Sequence, residues 1–209
     1  MSEAYQEYGF RTAAESHMHR HFMPQVLRYA GDLRPGTRVL DVGCGNGYTC
    51  GEFLRRGCAV VGIDLSEQGI EWARRTYPGG RFELLGADQD ILPNLAERPF
   101  DLVVSTELIE HLYAPREWAR GCFAALKLTG RLICTTPYHG YLKNILISLS
   151  GGWDRHANPL WDGGHIKLWS RRTLTQLLEE AGFNNVEIKG VGRLPGLWMT
   201  MVVSADKPG

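Results

Sequence analysis

No run of apolar residues in this chain is long enough to cross a bilayer. Residues 1–8 are polar and acidic, without the basic start and apolar core of a secretory signal. Surplus charge is missing too: 23 Lys and Arg stand against 23 Asp and Glu, so no overall field draws the chain to nucleic acid or an anionic membrane. There is no Cys-x-x-Cys pair. The five cysteines, Cys44, Cys50, Cys58, Cys122 and Cys134, are scattered. That spacing excludes a zinc knuckle and a disulfide frame; it predicts reduced thiols buried as small apolar side chains, and a cytoplasmic setting. Repeats, low-complexity stretches and dividing linkers are absent as well, so the 209 residues are expected to form one domain.

What is present is a regular alternation. Short β-branched runs predict strands over 38–42, 59–64, 81–85, 100–105, 131–136, 186–189 and 198–204. Amphipathic stretches between them predict helices over 48–56, 66–75, 115–126 and 170–181. Ser66 and Ser170 are placed as N-caps, and Gly57 and Gly182 as stops. Such alternation predicts an α/β fold, a mostly parallel sheet with helices on both faces, whose ligands bind beyond the carboxyl ends of the strands. Two segments stand outside the scheme. Residues 1–31 read as an N-terminal helical lid, and residues 138–167, rich in aromatics and glycine, as an insertion covering the site.

The first strand runs into Asp41-Val42-Gly43-Cys44-Gly45-Asn46-Gly47. Glycines allow a tight turn and close approach of a ligand to the backbone. The dinucleotide fingerprint fails because Tyr48 occupies its last glycine position, and the Gly-Lys-Ser/Thr ending of a phosphate loop is absent. A carboxylate at position 41 disfavours a pyrophosphate and favours a cation, which fits the ammonium and sulfonium of S-adenosylmethionine (SAM). Asp64 ends the second strand about 20 residues beyond the loop, where nucleotide-binding folds place a ribose acceptor. Asp88, in Gly86-Ala87-Asp88-Gln89, is placed to accept from an adenine amino group. Any one of these aspartates has a second reading as a helix cap or turn residue; the ordered set after three successive strands favours the ligand.

With these residues the sequence resembles the class I SAM-dependent methyltransferases over nearly its whole length. The resemblance implies a Rossmann-like seven-stranded sheet with an antiparallel last strand. It assigns Asp41, Gly43, Cys44, Gly45 and Gly47 to the methionine moiety, Asp64 with Leu65 to ribose, and Asp88 with Gln89 to adenine, with Thr106 also among the cofactor contacts. Within the family the chain is most similar to the ubiquinone-biosynthesis type of O-methyltransferase, through Ser105-Thr106-Glu107-Leu108-Ile109-Glu110-His111 and Thr135-Thr136-Pro137.

The fourth strand is followed by Glu107-x-x-Glu110-His111. On a helical turn these three side chains share one face, and His165 of the covering segment is placed to close a divalent-metal site, Mg or similar. The small-RNA 2′-O-methyltransferases carry a similar constellation. The competing reading is a brace of the turn without metal. A neutral hydroxyl acceptor needs a base or a metal to lower its pKa, which makes His111, His165 and His139 the catalytic candidates. His17, His19 and His21 read as a solvated helix face, and Tyr5, Tyr8 or Phe10 as cofactor contacts from a lid.

The stretch 138–149 is apolar at helical spacing with Lys143 its only charge, and Trp153, Trp161 and Trp169 follow. It is readable as a lid over an aromatic or lipophilic small molecule, as a peripheral membrane contact, or as packing on the sheet. The function expected is SAM-dependent O-methylation of a small molecule. N- or C-methylation, a metal-dependent RNA ribose methyltransferase, a non-catalytic SAM-binding module and an NAD oxidoreductase are the rivals. The zero net charge speaks against a nucleic-acid partner.

Overall fold

The computed structural model describes residues 16–87, 90–161 and 164–209. Five strands, β1 (Arg38–Val42), β2 (Ala59–Asp64), β3 (Arg81–Leu84), β4 (Phe100–Thr106) and β5 (Leu126–Pro137), pair in parallel, and β6 (Asn184–Val191) and β7 (Thr200–Asp206) complete one seven-stranded sheet in the order β3-β2-β1-β4-β5-β7-β6. β7 runs antiparallel to both β5 and β6. The chain reverses direction across the sheet between β1 and β4, so the loop after β1 and the end of β4 form the crevice where open α/β sheets bind ligands.

The strands read as near-continuous apolar runs because both faces are covered. Side chains alternate between two cores. Leu40, Val42, Val61, Ile63, Leu132 and Val203 face one of them, with α4 (Ile91–Leu95) and α5 (Pro115–Ala125), and α8 (Arg171–Glu180) also packs there. Val39, Val60, Leu102, Val104, Ile133 and Val202 face the other, with α1 (His19–Ala30), α2 (Tyr48–Leu54) and α3 (Glu67–Thr76). All five cysteines are free and buried, as expected for small apolar side chains.

Ser66 caps α3 by accepting from the Gly69 amide at 2.8 Å, and Ser170 with Thr173 forms a reciprocal capping box on α8. Some boundaries differ from expectation. β5 begins at Leu126, which pairs with Phe100; the register then shifts, with extra residues on β5, before Leu102 pairs with Arg131. β7 begins at Thr200, two residues late, because the Trp198 ring turns to meet Tyr138 edge-on at 5.2 Å instead of joining the ladder. The described part of the N-terminal stretch is a core helix as well as a lid candidate: Phe22, Met23 and Val26 of α1 are buried against the sheet, while His19 packs on Tyr48 at 4.5 Å, beside the glycine loop.

The covering segment forms α6 (Tyr141–Leu149) and the short α7 (Trp153–His156). It then returns to the sheet, where the amides of Ile166 and Lys167 donate to the Glu110 carbonyl at 3.0 and 3.1 Å. α6 buries only Lys143 and Ile147; Tyr141, Leu142, Leu146 and Leu149 are exposed. Packing therefore accounts for Ile147 but not for Tyr141, Leu142, Leu146 and Leu149. No helix among the described residues is long and apolar enough to cross a membrane.

Candidate active site

The glycine loop leaves β1 and turns back through Gly43, Gly45 and Gly47, whose φ angles of 78°, 49° and 79° lie in the left-handed region that glycine enters without a side-chain clash. The amides of Gly43 and Cys44 both donate to the Ile63 carbonyl, tying the loop to β2. Asp64 fixes it from the end of the same strand: one carboxylate oxygen accepts from the Gly45 amide and the other from the Ser66 amide, each at 2.8 Å. A Cβ at position 69 would stand 2.9 Å from the Gly45 carbonyl oxygen, so a glycine there allows α3 to start against the loop. Thr106 meets Thr49 of α2 at 3.4 Å, and Leu65 lies exposed at the rim. Asp88 and Gln89, like Tyr5, Tyr8 and Phe10, lie outside the described residues.

Asp41 differs from the open carboxylate its position suggests. It is fully buried beneath the loop, where one oxygen accepts from the Cys50 thiol at 3.1 Å and Oδ1 has no partner. Burial is the main cause that pushes its carboxyl up to about 7, with the nearby Asp64 charge adding to it and the Cys50 hydrogen bond opposing. Cys44 also turns its side chain into the core, against the space left by Gly62, so it shapes the loop and presents no thiol to a ligand.

At the end of β4 the expected helical turn is broken. Glu107 takes a left-handed φ of 50°, and only Ile109–His111 form a turn of 3-10 helix. Glu107 is thereby rotated away from its two neighbours, and its Oε1 accepts from the hydroxyls of Thr135 and Thr200 at 2.7 and 2.8 Å. Glu110 is buried, with Oε2 on the Thr136 hydroxyl at 2.9 Å and Oε1 unpartnered. Burial raises the carboxyl of Glu107, and raises that of Glu110 well above the usual range with the Glu107 charge contributing.

The structure brings together Glu110, His111 and His165, each offering one ligand atom within 4.8 Å of the others. Glu107 lies outside that group of three. His111 Nδ1 donates to the Gly164 carbonyl at 3.1 Å, leaving Nε2 toward Glu110 Oε1 at 4.0 Å. The His165 ring lies 5.0 Å from that of His111, and burial followed by the charges around it pushes its pKa down to about 4, so it is a neutral imidazole with a lone pair to give. His139 is not in that group; it is buried, bonded through Nδ1 to Asn144 at 3.2 Å and stacked on Trp153.

A model described as a methyltransferase domain matches residues 14–188. The chain belongs to that methyltransferase-domain family. Among relatives, a Mycolicibacterium smegmatis protein named "probable S-adenosylmethionine-dependent methyltransferase" is 32% identical over 162 residues, which are 78% of this chain and 58% of that protein. A ubiquinone biosynthesis O-methyltransferase of Coxiella burnetii is 28% identical over 158 residues, 75% of this chain and 67% of the relative. The chain thus spans little more than half the length of the mycobacterial relatives it matches. Among solved structures, a SAM-dependent methyltransferase from Archaeoglobus fulgidus superposes with a TM-score of 0.67 at 19% identity, covering 88% of this chain and 92% of that one. The magnesium protoporphyrin IX methyltransferase of Synechocystis superposes at 0.66 and 18% identity, covering 88% and 80%. At those identities the likeness is one of fold.

In this methyltransferase domain several site residues escape a sequence reading. Thr135, Thr136 and Thr200 anchor the two glutamates; Thr135 and Thr136 stood in a segment that carried the resemblance, but nothing in the sequence paired them, or Thr200, with Glu107 and Glu110. Lys143 did carry a signal: a lone charge in an apolar stretch. It is 8% exposed, and its ammonium donates to the Tyr138 carbonyl at 2.6 Å.

Proposed function

We propose that this chain binds SAM at the glycine loop and transfers its methyl group to an oxygen acceptor on a small, lipophilic molecule. The observation that carries the reading is Asp41: a buried carboxylate under a glycine loop, with one oxygen lacking a partner, is an acceptor in want of a donor or a cation. A pyrophosphate brought to the same loop meets negative charge. The residues fit the cofactor on that ground. Asp41 would answer its ammonium through the loop, Asp64 with Leu65 would hold the ribose, and Gly43, Gly45 and Gly47 would let it lie against backbone. When bound, SAM supplies an electrophilic methyl on a sulfonium leaving group.

The chain's own part is to hold an acceptor in line, exclude water and take a proton. The segment carrying α6 would exclude water above the carboxyl edge, and the exposed apolar residues of α6 suit a lipophilic acceptor met at a lipid surface. With Nδ1 donating to Asn144, His139 keeps Nε2 as a proton acceptor. Glu110, His111 and His165 fit a divalent cation by the chemistry of the set, an unpartnered buried carboxylate oxygen and two imidazoles. Two nitrogens and one carboxylate suit Mn, Fe or Zn better than Mg. Such an ion, when bound, supplies Lewis acidity that lowers the pKa of an acceptor hydroxyl.

The test is a thermal-shift and calorimetric comparison of SAM, S-adenosylhomocysteine and NAD. SAM and S-adenosylhomocysteine are expected to raise the melting temperature and NAD to leave it unchanged; stabilisation by NAD alone would overturn the reading. For the cation, the expected outcome is loss of Mn binding, followed by its paramagnetic resonance, on His165→Ala and not on Glu107→Gln. Equal Mn binding by wild type and His165→Ala would remove the metal.

A further inference from the structure

Glu107 stands where the ends of three strands meet, and the hydrogens there can be counted. Its Oε1 lies 2.7 Å from Thr135 Oγ1 of β5 and 2.8 Å from Thr200 Oγ1 of β7. Thr200 Oγ1 lies in turn 2.6 Å from the Thr136 carbonyl oxygen. Thr135 Oγ1 accepts from the Glu107 amide at 3.0 Å, so its own hydrogen is left for Oε1. Each of the three oxygen–oxygen separations is that of an O–H···O bond and needs a hydrogen. A carbonyl and a carboxylate have none to give, and each threonine hydroxyl has one. With Glu107 ionised, Thr200 can serve Oε1 or the Thr136 carbonyl, and the other pair is two acceptors pressed together without a proton. A proton on Oε1 closes the chain: Thr135 donates to Oε1, Glu107 donates to Thr200 Oγ1, and Thr200 donates to the Thr136 carbonyl.

The surroundings favour the neutral form. Burial is the main cause that raises the Glu107 carboxyl, against the threonine hydrogen bonds and the Lys143 charge. Among the described residues Lys143 makes no ion pair with it; that ammonium donates to the Tyr138 carbonyl. Oε2 bonds to no described residue and is not sealed in the core as Glu110 Oε1 is. Glu107 follows Thr106, which meets Thr49 of α2, and precedes Leu108, whose side chain a Cβ at Gly43 would meet at 2.8 Å. The free oxygen is therefore at the carboxyl edge, beside the glycine loop, where ligands of such sheets bind. We propose that Glu107 is a neutral carboxylic acid that lines the acceptor site with an uncharged hydrogen-bond acceptor, and so selects a hydroxyl over an ammonium. A hydroxyl sheds its proton on methylation, and a carboxylate at its side would repel the oxyanion. The same carboxylate would hold an amine in its cationic, unreactive form. The acceptor role rests on the methyl-transfer reading; the proton rests on the hydrogen-bond geometry alone.

The experiment uses the full chain at pH 7.5. The infrared difference spectrum of wild type minus Glu107→Gln is expected to show the carbonyl band of a protonated carboxyl group, displaced in heavy water. Asp41 and Glu110, also raised, cancel in that difference. Thr200→Val removes the acceptor of the proton and should displace the same band, which keeps the test open if the glutamine variant does not fold. Two probes of matched length, 4-hexylphenol and the cationic 4-hexylbenzylamine, are then titrated by calorimetry with and without saturating S-adenosylhomocysteine. The phenol is expected to bind at least as tightly as the amine, and Glu107→Gln to change either affinity by less than about threefold, since no charge is removed. An ionised Glu107 gives the opposite result: the amine binds more tightly and loses at least about tenfold in Glu107→Gln. That result, or the absence of the acid band, would overturn the proposal. Failure of both probes to bind would overturn the acceptor role. A clear acid band in a protein that does not bind S-adenosylhomocysteine would fail the methyl-transfer reading and leave the proton on Glu107 standing.

Discussion

Asp41 is the residue at which stability and ligand binding pull in opposite directions. Its carboxyl is raised from 3.8 to about 7, chiefly by burial. Below pH 3.8 both folded and unfolded chains hold the proton. Between 3.8 and about 7 the unfolded chain ionises first, so the stability present at low pH is lost as pH rises, up to about 4 kcal/mol by the time the folded pKa is passed. Asp41→Asn, of nearly the same shape, is therefore expected to be more stable than wild type at pH 7.5, with the gap closing toward pH 4 in urea titrations. A cationic ligand reverses the preference, because it favours the ionised carboxylate. The affinity for S-adenosylhomocysteine should accordingly increase from pH 6 to pH 7.5 in wild type and stay flat in Asp41→Asn, by calorimetry at each pH. A flat wild-type profile would remove Asp41 from the ammonium's surroundings.

At the scale of elements, the decisive contact is between α3 and the glycine loop. Gly69→Ala improves helix propensity by roughly 1 kcal/mol, yet places a methyl 2.9 Å from the Gly45 carbonyl oxygen. Backbone has little room to yield, so the loop must shift to admit the methyl: the expected result is a lower melting temperature of the ligand-free protein together with at least a tenfold loss of S-adenosylhomocysteine affinity, about 1.4 kcal/mol. This junction was legible in outline: the loop, the Ser66 cap and the aspartates at strand ends follow from local rules of turn, cap and strand period. The turn after β4 was not. The i, i+3, i+4 rule presupposes helical backbone from Glu107 onward, and that residue instead adopts a left-handed angle, secured by Thr135 from β5 and Thr200 from β7. Partners that come from 28 and 93 residues away leave no trace in a local pattern. Lys143 shows the same limit: its isolation in an apolar stretch was visible, but the side to which it turned was set by the Tyr138 carbonyl just past β5.

For the whole molecule the two cores are unequal in their bearing on the site, and Trp118 tests this. It is the largest fully buried side chain, in the core formed with α4, α5 and α8, and its indole donates to Ser105 Oγ at 3.3 Å. That hydroxyl in turn donates to the Val42 carbonyl at 2.8 Å, at the foot of the glycine loop. Trp118→Ala removes the packing and opens a cavity, a change that costs roughly 3–5 kcal/mol, a large share of the 5–15 kcal/mol typical of a domain. Trp118→Phe keeps most of the volume and should cost less. The loop itself is tied to β2 by the Ile63 carbonyl and by Asp64, on the strand that Trp118 does not touch through this chain of bonds. Saturating S-adenosylhomocysteine should then stabilise Trp118→Ala and wild type by the same free energy, since ligand linkage depends only on the affinity of the folded state. Gly69→Ala, in contrast, should lose most of the ligand's stabilisation, because its clash falls on the loop that binds the ligand. Urea unfolding of both variants at matched ligand concentration measures the two quantities together. Loss of ligand stabilisation in Trp118→Ala would mean that the α5 core positions the loop, and that the site depends on both faces of the sheet.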